Sequence, residues 1–325
     1  MTDARSEHAP QVAPTSLRIH ANGLDLHVLA WEPPASVARR VRVPVCVLLH
    51  GYMDSAASFD EIAPSLAHAG FRVMAPDQRG FGDSGRVADG GYYHFPDYVF
   101  DVADLVDAVS PDAPVFLVGH SMGGNVAALY AGTLPERVAM LALLEGVGPP
   151  DFPDELAPVR TRAWIEGVRK ARLRDERPIT LEEAARRLGS NHPYVDRALI
   201  ARRAEQLTRP VSDVSEASEV SGDSEASGAR LRAWRFDPRH RTTSPYAFSV
   251  ARWRAHAARI SAPTLVVGGG PTGYHPPDEA ERIAVIERAR LVELPGAGHM
   301  MHWTQPAALV RELLAFVDAA DAHGG

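Results

Sequence analysis

Short apolar runs recur along the chain, and each one ends on a tight, polar or glycine-bearing pair. Residues 44–49 run into His50-Gly51, 71–75 into Pro76-Asp77, 115–118 into Gly119-His120, and 138–144 into Glu145-Gly146. Continuous runs of this length suit strands buried on both faces, as in a parallel sheet. Ahead of them, residues 17–20 and 24–31 alternate apolar and polar around Asn22-Gly23, a strong hairpin signal. Apolar positions spaced by three and four predict helices over 58–69, 96–109 and 122–134. Alternating strands and helices predict an α/β fold with a mostly parallel central sheet and helices on both faces.

The rhythm breaks after residue 148. From 149 to 259 the pattern is helical without a core strand, with helices expected over 181–188, 194–207 and 245–260. Residues 211–229 are mostly Ser, Glu, Asp, Ala and Gly and are read as a flexible loop, since they bury too little apolar area to offset their ordering entropy. Strand 263–267, helix 277–289, strand 291–294 and closing helix 306–320 then resume the alternation. The expected organisation is a disordered tail over 1–15, an α/β core over 16–148 and 260–325, and an inserted helical cap over 149–259.

Charge and cysteine content narrow the function classes. A net charge of −7 gives no basic surface for nucleic acid and no attraction to an anionic membrane. The single cysteine, Cys46, lies inside an apolar run and reads as a small buried hydrophobe. No apolar run reaches the roughly 20 residues that a membrane span needs, and the N-terminal stretch lacks the apolar core of a secretory signal. A cytoplasmic protein with a small-molecule substrate is expected. A homodimer is a candidate assembly.

The chemistry concentrates in a few loops. Gly119-His120-Ser121-Met122-Gly123 fits the G-x-S-x-G nucleophile elbow, with a buried strand before it and a helix after it. A serine at its free pKa needs a base. Of the fourteen histidines, His299 in Gly296-Ala297-Gly298-His299 follows the last strand and is preferred over His302. His120 should point away from the serine, and His50 reads as a loop brace. The orienting acid is less obvious, because the loop 268–275 carries no carboxylate. Glu145, at the tip of the strand after the nucleophile helix, is preferred; Asp278 is the alternative. Oxyanion donors are expected from the backbone N–H groups of Met122 and Tyr52. Asp77 to Ser84 reads as a structural turn network with Phe81 as a candidate pocket wall.

Together these motifs resemble the α/β-hydrolase superfamily over 17–148 and 260–320. They are similar in particular to the serine hydrolase-like proteins, through the loop His50 to Asp60, the stretch Trp234 to Arg239, and Gly273-Tyr274. Many members take the acid from the loop after the strand at 263–267, and this chain departs from that pattern. Some haloalkane dehalogenases take it from the strand after the nucleophile, which suits Glu145. Their nucleophile is an aspartate, so a serine argues against dehalogenation. The resemblance implies a substrate-selecting cap, with Tyr52, Phe81, Trp164 and Trp234 lining the pocket and Phe236 nearby; each tryptophan could equally be cap core.

The expected activity is hydrolysis of a small or medium ester or thioester through an acyl-enzyme at Ser121, with neither metal nor organic cofactor. Two rivals stand beside it. One is carbon–carbon bond hydrolysis of a diketone-like substrate. The other is a non-catalytic binding protein on the same fold, for which the missing late-loop acid speaks.

Overall fold

A computed structural model describes residues 12–173, 177–211 and 231–323. The expected tail lies outside the described residues up to Gln11, and its last residue, Thr15, opens the first strand. The expected loop 211–229 lies outside them beyond Val211.

The hairpin forms as the sequence predicts. Strand β1 (Thr15–Ala21) pairs antiparallel with β2 (Leu24–Trp31) through a turn with both Asn22 and Gly23 at positive φ. The apolar runs become β3 (Val45–Leu49), β4 (Arg72–Pro76), β5 (Val115–His120), β6 (Val138–Leu144), β9 (Thr264–Gly268) and the less buried β10 (Ala289–Glu293). They assemble into one sheet of eight strands in the order β1-β2-β4-β3-β5-β6-β9-β10. From β4 to β10 every pairing is parallel.

Side-chain alternation explains why the runs are continuously apolar. Val45, Val47 and Leu49 enter one core layer with α2 (Phe95–Val109) and α3 (Met122–Thr133). Cys46 and Leu48 enter the other, with α1 (Ala63–His68) and the closing α10 (Pro306–His323). Both faces of each central strand are thus dry. Burial raises the Cys46 thiol pKa far above its usual value, as befits a packing residue.

Several helices are shorter than the periodicity predicts. The stretch 58–69 splits into a 3₁₀ turn (Ala56–Phe59) and α1, whose first turn carries Pro64. The helix expected over 277–289 shrinks to α8 (Glu279–Ile283), because the chain must already be extended at Ala289 to pair with β9. The helix expected from 245 starts only at Val250, capped by Ser249, as α7 (Val250–Ala257).

The segment between β6 and β9 holds α4 (Ala157–Arg172), α5 (Leu181–Asn191), α6 (Arg197–Gln206) and α7. It also contains a small antiparallel pair that the pattern did not predict, β7 (Thr208–Pro210) with β8 (Arg232–Trp234). Its own apolar cluster, including Leu188, Val195 and Ile200, closes on Met300 and Trp303 of the main body. Arg202 and Arg203 reach Asp60, and Arg203 lies over the Trp303 ring. No helix among the described residues is long and apolar enough to cross a membrane.

Candidate active site

The turn from β5 into α3 is tight enough to dictate its glycines. A Cβ at Gly119 would lie 2.4 Å from the Gly123 carbonyl oxygen, one at Gly123 would lie 2.3 Å from the Leu49 oxygen, and one at Gly124 would lie 2.6 Å from Gly146 Cα. Ser121, between them, has φ 51° and ψ −115°, a conformation that costs a non-glycine residue about 1–3 kcal/mol. The strain lifts the hydroxyl out of the sheet plane at the carboxyl ends of the strands.

His299 reaches this hydroxyl from the loop between β10 and α9 (Met301–Thr304). Its Nε2 lies 3.0 Å from Ser121 Oγ. Two contacts brace its backbone: the Gly298 N–H donates to the Gly269 carbonyl at 2.9 Å, and His120 Nε2 lies 2.8 Å from the His299 carbonyl. That second contact assigns the His120 proton to Nε2. His120 is fully buried, and desolvation, with neighbouring imidazoles adding, holds its pKa well below the usual histidine value. Its side chain serves the loop rather than the serine, as the sequence suggested.

Glu145 completes the line. Its Oε2 lies 2.5 Å from His299 Nδ1, and its side chain is fully buried. It also has positive φ, 48°. Two backbone N–H groups complete the carboxylate's shell: Gly269 donates to Oε1 and Tyr274 to Oε2, both at 2.7 Å. The late loop, which has no acid of its own, therefore holds the acid that arrives from the neighbouring strand. Its glycines make the room. A Cβ at Gly273 would lie 1.9 Å from Glu145 Oε1, and one at Gly269 would lie 2.7 Å from it. Gly273→Ala is accordingly expected to lower kcat by about a hundredfold with KM nearly unchanged, the scale set by ångström misplacement of a catalytic group. Steady-state kinetics on any turned-over ester checks this.

Asp278 does not join the group. It pairs with Arg282 at 2.7 Å and Arg254 at 3.3 Å, and these cations hold its pKa below the usual carboxylate range. Sequence reasoning missed the two backbone donors to Glu145 and the role of the 269–273 glycines. The signal was present as an unusual glycine density just where an acid was sought.

Met122 is the first residue of α3, so its N–H has no acceptor within the helix. The loop after β3 is pressed against the elbow: a Cβ at Gly51 would lie 3.3 Å from Ser121 Cβ. Tyr52 follows, half exposed, with its hydroxyl bonded to the His240 carbonyl. His50 braces this loop, accepting from the Gln78 N–H at 2.9 Å while Gln78 Nε2 donates to its carbonyl at 2.6 Å. Phe81 is buried beside them, stacked on His240 at 3.9 Å and edge-on to Tyr52 at 6.2 Å. Desolvation drives the His240 pKa down to about 3, so the stacked ring is neutral. Asp77 anchors the same turn network: its carboxylate accepts the N–H groups of Ala56 and Asp83 and contacts His27. Trp164 packs edge-on to Tyr92 at 5.7 Å, and Trp234 stacks on Phe236 at 5.7 Å. The first contact joins the insert to the main body, and the second lies within the insert.

Asp54, His120 and His302 form a buried group whose donor atoms lie within 4.8 Å of one another, and His27, Asp77 and Asp83 form a second such group. In the first, His120 Nε2 is engaged by the His299 carbonyl and His302 Nε2 lies 3.4 Å from Asp54. These contacts give the trio a bracing role beneath the His299 loop.

Comparison with known proteins agrees with this fold. The family model for the alpha/beta hydrolase fold matches residues 44–306. A serine hydrolase-like protein of Danio rerio is 36% identical over 151 residues, a match covering 45% of this chain and 46% of that one. The chain thus matches about half the length of that relative. A serine hydrolase-like protein of Dictyostelium discoideum is 25% identical over 311 residues, covering 91% of this chain and 79% of the relative. The crystal structure of a hypothetical protein from Pseudomonas aeruginosa superposes with a TM-score of 0.76 at 27% identity, covering 93% of this chain and 99% of that one. With its elbow, its eight-stranded sheet and a family match over most of its length, the chain belongs to the α/β-hydrolase family, close to the serine hydrolase-like proteins.

Proposed function

We propose that this hydrolase cleaves small or medium carboxylic esters or thioesters through an acyl-enzyme at Ser121. The observation that carries the reading is the unbroken line from Ser121 Oγ to His299 Nε2 at 3.0 Å and from His299 Nδ1 to a buried carboxylate at 2.5 Å. Glu145 accepts a hydrogen bond from His299 Nδ1–H, which fixes the tautomer with the Nε2 lone pair facing the serine. Ser121 Oγ attacks the carbonyl carbon while Nε2 takes its proton. The oxyanion rests on the N–H groups of Met122 and Tyr52, each such donor contributing about 3 kcal/mol to the barrier reduction. The carbon–oxygen or carbon–sulfur bond then breaks, and His299 returns the proton to the leaving alkoxide or thiolate. Water attacks the acyl carbon, gives its proton to His299 and releases the acid. Ser121 recovers its proton. Under this reading the insert is the cap, with Tyr52 and Phe81 on the core wall and Trp164 and Trp234 on the cap side.

The position of Glu145 favours the catalytic reading over a non-catalytic binder, because the late loop supplies two N–H donors to an acid it does not itself carry. A fluorophosphonate probe tests the proposal. Labelling is expected at Ser121, identified by peptide mapping, and absent after Ser121→Ala. A native protein that takes up no label under conditions that label a known serine esterase would count against an active nucleophile.

A further inference from the structure

We propose that Arg282 is a positioning residue for the catalytic acid: together with Asp278 it clamps the turn that follows Glu145 and fixes the carboxylate toward His299. The inference rests on the reading of Glu145 as the triad acid.

Arg282 is fully buried on the short helix α8. A guanidinium in such a place is costly unless its charge is balanced and its N–H groups are used. Its Nη1 lies 2.9, 2.9 and 2.8 Å from the carbonyl oxygens of Val147, Gly148 and Pro149, three consecutive acceptors beginning two residues after Glu145. Its Nη2 forms an ion pair with Asp278 at 2.7 Å, short of hydrogen-bond geometry, and Asp278 is held in turn by Arg254 of α7. The guanidinium also lies over the Phe248 ring at 5.4 Å. That ring closes the other side of the turn, since a Cβ at Gly148 would lie 2.3 Å from it.

This anchoring is matched to a specific need. Glu145 holds a left-handed backbone, which persists only where the surroundings over-determine it. Upstream, its N–H is tied to the Val267 carbonyl at 3.0 Å. Downstream, the clamp removes the freedom of the chain to relax toward ordinary φ. An arginine suits the task because its planar fork can serve carbonyls and a carboxylate at once; a lysine offers only one ammonium point. Asp278 thus contributes to the triad through Arg282, without meeting the imidazole.

The test compares full-length Arg282→Lys, Arg282→Met combined with Asp278→Asn, and Glu145→Gln. Three quantities are read: kcat and KM, the pH profile of kcat/KM, and the downfield proton resonance of the His299 Nδ1–H bridge to Glu145. Loosening the acid withdraws a negative charge from the imidazolium, so the acid limb should move to lower pH. Both Arg282 variants should lose about tenfold to a hundredfold in kcat with KM little changed, and their bridging resonance should shift upfield. A staple that merely holds α8 down would lower the melting temperature and move none of these. Should the double variant fail to fold, Arg282→Lys, which keeps the charge beside Asp278, is read by the same criteria. Folded Arg282 variants with the parental resonance, pH profile and kcat overturn the clamp. If Glu145→Gln abolishes activity and resonance while the Arg282 variants move neither, the clamp alone fails; if Glu145→Gln changes nothing, the acid assignment fails.

Discussion

Ser121→Ala is expected to remove hydrolysis of a p-nitrophenyl ester by about 10⁴-fold or more while leaving the fold intact. The magnitude follows from how catalytic groups act as a unit: without the nucleophile, the base and its acid have nothing to activate, and only positioning and oxyanion donors remain. The fold is expected to survive because the substitution deletes one oxygen and keeps a Cβ at the same strained backbone position. The glycine contacts that shape the turn are untouched. Initial rates, with circular dichroism and thermal melting as controls, decide the matter. Turnover within tenfold of the parent would sink the assignment of Ser121.

The second large effect is expected at Glu145. Glu145→Gln keeps the volume but replaces a carboxylate that accepts three hydrogen bonds with an amide that accepts at one end and donates at the other. Its present partners are all donors: the Gly269 N–H, the Tyr274 N–H and His299 Nδ1–H. A flip in either sense sets an NH₂ group against at least one of them. The buried amide then either loses a backbone bond or forces His299 toward the wrong tautomer, with its proton facing the serine. In a Ser-His-acid triad the tautomer error alone costs about 10⁴ in kcat, and a loss of that order with a smaller change in KM is expected here. Glu145→Asp should fall between the two proteins, since its shorter arm withdraws from His299 while keeping the charge. A Glu145→Gln enzyme with near-parental kcat would dismiss the strand-tip acid.

The fold was legible because its signals are local and physical. Central strands buried on both faces leave unbroken apolar runs, so β3, β5 and β6 lie within a residue or two of their expected ends. The hairpin at Asn22-Gly23 was equally plain. Helix lengths were less so, since periodicity does not register tertiary demands: Pro64 and the preceding turn split one helix, and the pairing of Ala289 with Thr264 cut another short. The short β7–β8 pair joins residues across a long sequence gap, where periodicity carries no information.

The site divides in the same way. Ser121 and His299 sit in motifs whose glycines announce them. The acid had no motif, and Glu145 was preferred over Asp278 only for its place at a strand tip, in a crowded turn after an apolar run. What separates them is the geometry of partners: Asp278 faces two guanidinium groups, whereas Glu145 faces an imidazole and two amide N–H groups. The backbone donors from 269 and 274 could not be read from side-chain identities, because every residue but proline supplies an N–H.

The glycine-rich loop after β9 bears on how such chains are sorted. A search that demands an aspartate or glutamate there would set this protein aside as a degenerate, inactive homologue. Its glycines at 269 and 273 frame the space that the Glu145 carboxylate, brought by the adjoining strand, occupies. Under the proposed function, a late loop without an acid but with paired glycines is compatible with a triad whose carboxylate comes from the neighbouring strand.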